Sequence, residues 1–558
     1  MSPRHARSHH VSKPVAVPDA KSLGRNSLTL TIGTFASRAT GLVRTMLLVA
    51  AIGIEGSVAD AFDIANTLPN MLFTLLAAGV LQAVLMPQIM QAIRAHNTQE
   101  RLDKLLTVAA ATLLGFTVVL VAATPLLIRL FTLAGDVSPL ALSLAIAFGF
   151  WCVPQVFFYG LFSLISEVLS ARGQFMAVGW APVANNIVSI AGFGAFVLTY
   201  GVAGAPINDL TAWTWTQTAL MGGTATLGII AQAAILLIAL RRGGFRWNIR
   251  FGLHGIGLRS ASKVIGWTIA AVALEQVGLV YLRNNTLAAG QLGAAEGVAV
   301  AGPAAFTNAL TIYILPHSLV VVSIITALFP RMSMAAASGD VDGVRDAMSL
   351  GLRSAGVFSV IASAIIFVLA EPIMKSLLPS VSATGIVNAA PVLRALSLGL
   401  VALGATVMVK RMYFAFGDGR GIFVIQIFAT AATVGIIWLA TRALSFDTWT
   451  IAAAAAYALA AWVSVLLRVG GMRKKLNGSI DGRRVAWLYV RCGIAALVAA
   501  VVGLVIGLEM GAFGGTASWS RAVLTAAVGG AAMLAVYFVG IKVLRVRELD
   551  AALAPIVR

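Results

Sequence analysis

Apolar runs of about 20 residues, each enough to cross a ~30 Å hydrocarbon core, recur along almost the whole chain. With 59% of its 558 residues hydrophobic and 11% charged, the chain lies far outside the soluble globular range. The fold class it predicts is an all-α polytopic membrane protein with nearly all its mass in the bilayer. Segmentation gives fourteen spans: 28–52, 61–90, 105–131, 140–170, 176–200, 218–240, 264–284, 303–330, 348–370, 388–412, 421–443, 449–469, 487–508 and 521–543.

A net charge of +19 would suit a nucleic-acid partner, but the basic residues fall at alternate loops. With the N-terminus placed in the cytoplasm, inner segments carry Arg4, Arg7, Lys13, Lys21 and Arg25, then Arg94, Arg101, Lys104 and Arg172, then Arg241, Arg242, Arg246, Arg250, Arg259 and Lys263. Arg331, Arg345, Lys410, Arg411, Arg420, Arg468, Arg473, Lys474, Lys475, Arg483, Arg484 and Arg491 follow, and Lys542, Arg545, Arg547 and Arg558 end the series. The outer side has only Arg129, Arg283, Lys375, Arg442 and Arg521 near its surface. This asymmetry puts both termini inside, in keeping with an even number of spans. It reads the arginines and lysines as topology determinants that meet anionic lipid rather than nucleic acid.

Residues 1–27 read as a basic cytoplasmic tail, not a cleaved signal. Its His5, His9 and His10 have no cysteine or carboxylate cluster beside them, so no metal site is expected. Cys152 and Cys492 fall within spans and read as small packing residues.

An internal duplication shows in two motif pairs. Leu68-Pro69-Asn70 leading to Leu85-Met86-Pro87 parallels Leu315-Pro316-His317 leading to Leu328-Phe329-Pro330. Leu169 to Phe175 parallels Tyr413 to Arg420; the offsets are 315 − 68 = 247 and 415 − 171 = 244. Six spans per half make the repeat parallel, with a pseudo-two-fold axis along the membrane normal. The expected organisation is a tail 1–27, a first lobe 28–240, a linker 241–263, a second lobe 264–470, a basic loop 471–486, two further spans over 487–543 and a tail 544–558. Two such bundles suit alternating access. Pro69, Pro87, Pro154, Pro182, Pro303 and Pro316 are expected to kink their helices.

No phosphate-cradling loop, metalloprotease motif or nucleophile elbow is present, so no enzyme is expected. Function then rests on polar residues inside spans. Arg38 and Arg44 lie in the first span, where a fixed charge at mid-bilayer costs roughly 2.5–3.5 kcal/mol on insertion scales; an aqueous cavity holding an anion, or a buried carboxylate partner, would answer that cost. Asp60 or Asp63 is the expected neutralising group for Arg44, and Thr34, Ser37, Thr40 and Gly41 would keep the surrounding surface small and polar. Glu275 is expected either to couple transport to a proton or cation or to pair with Arg394. Asn66, Thr67, Asn185, Asn186 and Gln232 are expected to make interhelical hydrogen bonds.

Ser37-Arg38, Gly41-Leu42-Val43-Arg44, Ala59-Asp60-Ala61-Phe62 and Asn66-Thr67-Leu68-Pro69-Asn70 resemble the start of the MurJ/MviN lipid II flippases in their actinobacterial form. Leu169 to Phe175, Ala181-Pro182, Asn185-Asn186, Gly222-Gly223-Thr224, Gln232, Gly244 to Trp247, Leu315 to Ser318, Thr326 to Ser333 and Arg411 to Arg420 extend the likeness over residues 30 to about 470. The resemblance implies a MATE-like fold with two six-helix lobes around a cationic cavity, and spans 13 and 14 forming a groove for a lipid tail. It implies transport of lipid II, an undecaprenyl-pyrophosphate-linked glycopeptide, from the inner to the outer leaflet of the bacterial plasma membrane, with membrane lipids and cell-wall synthesis or division proteins as partners. Substrate contacts would come from Arg38, Arg44, Asp60, Asn66, Thr67 and Thr311. Many members carry arginines where this chain has Thr67 and Thr311. Glu275 and Asp418 are the candidate coupling positions, for Na+ or H+, with membrane potential the other energy source and no cofactor. The alternatives are another lipid-linked oligosaccharide or small molecule as cargo, or a transport-inactive scaffold of cell-wall assembly.

Overall fold

The computed structural model describes residues 20–77, 98–134, 137–252, 263–476, 478 and 480–546. The three tail histidines, Leu85-Met86-Pro87, the middle of the expected linker and the last twelve residues lie outside them.

Among the described residues every regular element is helical. The first half contains α1 (Ala20–Ile52), α2 (Ser57–Leu76), α3 (Thr98–Ala122), α4 (Thr124–Leu130), α5 (Pro139–Cys152), α6 (Gln155–Ala171), α7 (Phe175–Tyr200), α8 (Ala205–Asn208) and α9 (Trp215–Arg242). The second contains α10 (Lys263–Ala295), α11 (Pro303–Pro316), α12 (Val322–Ala337), α13 (Val341–Val368), α14 (Ala370–Leu377), α15 (Ala383–Ser397), α16 (Leu400–Ala415), α17 (Gly419–Ala443) and α18 (Trp449–Lys475). Last come α19 (Gly482–Glu509) and α20 (Trp519–Val543).

Each expected span has a helical counterpart, but the count of fourteen is not confirmed. Eleven described helices are long and apolar enough to cross a membrane, or twelve if α15 and α16, bent by 42° at their junction, form one span. The two that fall short are α2, which carries Asp60 and Asp63 and is described only to its first 20 residues, and α10, whose apolar run is broken by Glu275, Gln276 and Arg283. Both are helices at which the two halves meet.

Local chemistry explains the helix ends. Ser138, Asp340, Ser382 and Ser518 accept from backbone N–H groups of the first turns that follow them, and Thr214 forms a capping box with Gln217. Pro154 stands at the break between α5 and α6, and Pro316 removes a donor just before a π-turn, His317–Val321. Pro303 does not kink a helix; it opens α11 at a position where its missing N–H costs nothing.

The duplication is visible in backbone conformation. Gly173 (φ 74°) and Gly417 (φ 64°) both turn left-handed, and the following residue donates back in each case, Gln174 to the Leu169 carbonyl and Asp418 to that of Tyr413. Gly53 (φ 79°) and Gly297 (φ 70°) form a second such pair, again 244 residues apart. Helices α2 and α11 start 303 − 57 = 246 residues apart, and the loop leading into α11 has seven residues against four before α2, three more. That insertion accounts for the larger offset of the Leu-Pro motifs.

Two apolar cores fill the first half and two the second. A fifth joins α19 and α20 to α13 and α14, fastened where the hydroxyls of Tyr489 and Tyr537 donate to the Leu352 and Val357 carbonyls at 3.0 and 2.7 Å. Between α13, α16, α18 and α19 lies a cavity of 290 Å3 with almost wholly apolar walls, including Leu352, Val409, Trp462 and Val485.

Candidate functional site

One end of the bundle carries the arginine- and lysine-rich turns around Lys104, Arg172, Arg241, Arg420 and Lys475. Among the described residues the hydrogen bonds and ion pairs between the two halves gather at the other. There Asp63 on α2 forms a 2.5 Å ion pair with Arg283 on α10, and Arg283 also donates to the Thr307 hydroxyl at 3.1 Å. Asp60, 5% exposed, accepts from the Ala304 N–H at 3.1 Å, so a first-half carboxylate sits at the positive end of a second-half helix. Glu55 accepts from Asn388 at 3.1 Å, and Asn284 donates to the Leu130 carbonyl and accepts from the Ala134 N–H. Val49 and Ile54 complete the seam by packing into the second-half core.

These contacts correct several sequence expectations. Asp60 and Asp63 face the second half, so neither neutralises Arg44. Arg283 is no surface cation but a buried strut. Arg394 pairs with Glu371 at 2.7 Å, not with Glu275, and Glu371 also accepts from the N–H groups of Gly514 and Gly515. Burial pushes the Glu55 carboxyl up from its ordinary range, partly opposed by the Asn388 amide.

Arg38 is exposed and in no described ion pair. Val49 lies eleven residues on, about three turns and ~16 Å along the same helical face, and it is buried against the second half. Arg38 therefore lies on the Val49 face of α1, about three turns from the seam. Thr67 and Thr311 are placed alike on the two halves: each lies seven residues, about two turns, beyond a seam residue, Asp60 and Ala304 respectively. Thr67 is half-buried and Thr311 exposed. Asn70 and Thr74 continue the polar stripe of α2 and are exposed. Their alternation with apolar residues at helical spacing was available in the sequence.

Arg44 occupies a different environment. The face of α1 bearing Gly33, Ser37, Thr40 and Gly41 packs on α7: a Cβ at Gly33 would lie 2.8 Å from the Gly179 backbone, and Asn186 donates to the Ser37 carbonyl at 2.8 Å and the Thr40 hydroxyl at 3.0 Å. These small residues are thus a helix contact rather than a cavity lining. Arg44 is half-buried, within electrostatic reach of Tyr159, whose ring stacks on Phe73 at 5.7 Å. Asn66 is half-buried with its carbonyl oxygen 4.0 Å from Cys152 Sγ, beside α5.

The coupling candidates do not come together. Asp418 caps α17 through the Gly421 N–H at 2.8 Å and pairs with Lys475 at 2.7 Å. Partial burial alone would raise its pKa, but Lys475 and the capping N–H outweigh it and hold the carboxyl below its usual range. Glu275 lines a separate cavity with Lys410 and Arg468. Sequence position reads both cations as loop charges, yet both line an interior space. Glu275 is the one carboxylate in that lining beside two cations, and no group of three His, Cys, Asp or Glu side chains that could hold a metal ion exists among the described residues.

The profile of the family described as "Lipid II flippase MurJ" matches residues 49–523. The chain belongs to this family. The match begins just after Arg38 and Arg44 and extends through α19, beyond the reach of the sequence resemblance. A "Probable lipid II flippase MurJ" of Rhizobium meliloti is 24% identical over 460 residues, 80% of each chain. The "Lipid II flippase MurJ" of Burkholderia cenocepacia is 27% identical over 372 residues, 64% of this chain and 66% of the relative. Among solved structures, "Lipid II flippase MurJ, inward closed conformation" aligns with TM-score 0.67 at 17% identity, covering 93% of this chain and 99% of that one. A multidrug-resistance MATE-family transporter in an inward-facing conformation aligns with TM-score 0.59 at 17% identity, covering 79% and 99%. Members of the MurJ family are transporters rather than enzymes, and the fold here is that of the MATE-like group.

Proposed function

We propose that this chain carries lipid II from the inner to the outer leaflet of the bacterial plasma membrane by alternating access. The observation that carries the reading is the pairing of a seam at one end of the lobes with an exposed guanidinium, Arg38, about three turns from it on the first helix. The positive-inside asymmetry orients the basic end, and both termini, to the cytoplasm; a gap between the lobes at that end then faces the leaflet where the lipid is made.

A diphosphate suits Arg38 through forked, charge-assisted hydrogen bonds. Thr67, Asn70, Thr74 and Thr311 offer neutral donors and acceptors to sugar and peptide, and Arg44 adds positive potential from within the first lobe. The prenyl chain stays in lipid, and the apolar cavity beside α19 supports the reading of the last two spans as its groove. The boundaries we propose are lobes 28–240 and 264–470 with a tail-binding pair over 487–543.

Release requires the seam to part, losing the Asp63–Arg283 pair and the Glu55 and Asp60 contacts. Inverting a two-state population from 1:99 to 99:1 takes about 5.5 kcal/mol. An anionic headgroup leaving a negative interior gains about 2.3 kcal/mol per charge per 100 mV, which makes membrane potential a sufficient source for a multiply charged diphosphate. Cell-wall synthesis or division proteins would be the partners that receive the product.

The test is complementation of a lipid II flippase depletion, with precursor reaching the outer leaflet as the readout. Arg38→Ala is expected to lower translocation at least tenfold at normal protein level, and Arg38→Lys to retain part of it. Full activity of Arg38→Ala would remove the central role given to this residue.

A further inference from the structure

Helices α10, α16, α17 and α18 enclose a cavity of about 120 Å3 whose polar walls include Glu275, Lys410, Gln426, Ser464 and Arg468. Arg468 is 1% exposed, and its Nε and Nη1 have no hydrogen-bond partner among the described residues. Lys410 is half-buried on the facing helix. Glu275 is within electrostatic reach of both cations but forms no described ion pair with either. The walls therefore hold two positive charges and one negative.

A guanidinium with two bare N–H groups in a membrane-embedded cavity is costly unless something accepts from it. Solvent is a weak answer to a net positive charge; a small anion supplies both the acceptor and the missing charge. The volume is ample for a chloride-sized ion with several waters around it. We propose that this second-lobe cavity is a binding site for a small inorganic anion of the halide class, held between Lys410 and Arg468, with Glu275 as the competing countercharge.

The bound ion would tie α16 and α18 together against α10. Its vacancy would leave Glu275 as the one carboxylate in the lining, so occupancy biases which way that side chain turns. Nothing in this reading depends on the identity of the lipid cargo.

The experiment is thermal unfolding of the purified full-length protein in nanodiscs, with chloride exchanged for gluconate at constant ionic strength and constant sodium. Chloride is expected to raise the unfolding temperature saturably by several degrees. Lys410→Met should weaken the apparent chloride affinity tenfold or more, and Glu275→Gln should tighten it several-fold by removing the competitor. Arg468→Gln should abolish the response; because it also empties a buried position, Lys410→Met and Glu275→Gln are the deciding variants. Bromide should appear as an anomalous scatterer between Lys410 and Arg468. Chloride no better than gluconate, or equal shifts with sulfate and chloride, would overturn the proposal. So would stabilisation by sodium at constant chloride that Glu275→Gln removes, since that outcome marks a cation site.

Discussion

The two halves share their turns but not their charges. At the basic end, Gly173 and Gly417 close equivalent helices with the same left-handed backbone and the same returning hydrogen bond. At the seam, the first half contributes carboxylates, Glu55, Asp60 and Asp63, whereas the second answers with donors: Asn388, the Ala304 N–H and Arg283. Duplication supplies two similar surfaces, and similar surfaces with like charges would repel. Divergence of one side into acceptors and the other into donors turns the duplicated scaffold into a latch. Cations differ too: Arg38 is exposed on α1 of the first half, while Lys410 and Arg468 line a cavity within the second.

The largest expected effect comes from breaking that complementarity at its buried pair. Asp63→Ala leaves Arg283 without its carboxylate at a site where both side chains are 10% exposed or less. Removing one partner of such a pair costs about 3–5 kcal/mol, a shift of roughly 100-fold or more toward the open seam. Spin labels at Leu133 and Val298, one on each half, should report a longer distance. The exchange Asp63→Arg with Arg283→Asp should bring it back toward the original value, and an unchanged distance in Asp63→Ala would show that the pair does not hold the seam.

A smaller effect is expected from pH. Burial raises the Glu55 pKa in the closed seam, while solvent restores its ordinary value when the halves part. The closed form therefore binds the proton more tightly. Acidification favours closure, and the gain is lost as pH rises through the raised value. The same label pair should shorten on average as pH is stepped from about 8 to about 5, and Glu55→Gln should flatten that response.

The smallest effect tests the basic end, where the halves are most alike. Position 174 is the counterpart of Asp418, but Gln174 makes no capping bond and its amide packs where a Cβ on Gly243 would fall. Asp418→Ala should lower stability by about 1 kcal/mol, the usual worth of a helix N-cap, as a small drop in unfolding temperature. Translocation at normal protein level should change less than twofold. A large transport defect with unchanged stability would return Asp418 to the coupling machinery.

Much of the architecture was legible in the chain. Apolar length, the loop charge asymmetry and the repeated motifs led to an all-helical membrane protein with duplicated lobes and two added helices, because hydrocarbon imposes those patterns on any sequence it holds. The site was less legible. Arg38 was readable as a charge that needs a cavity, whereas Asn70 and Thr74, although at helical spacing in the sequence, carry no charge to set them apart from other polar helix residues. Arg283, Lys410 and Arg468 read as loop charges because each lies near the end of an apolar run, where long cations ordinarily snorkel to the interface.

By itself, then, the sequence determined the membrane environment, the helical elements, their repeat and the presence of fixed charge where lipid would not tolerate it. Tertiary structure alone decided partners: Asp63 with Arg283 rather than Arg44, Arg394 with Glu371 rather than Glu275, and Arg468 with two N–H positions that meet no acceptor among the described residues. The reason is physical. Hydrophobic length acts along one segment, but an ion pair depends on distances of a few ångströms between segments far apart in the chain, and those distances exist only after the helices have packed.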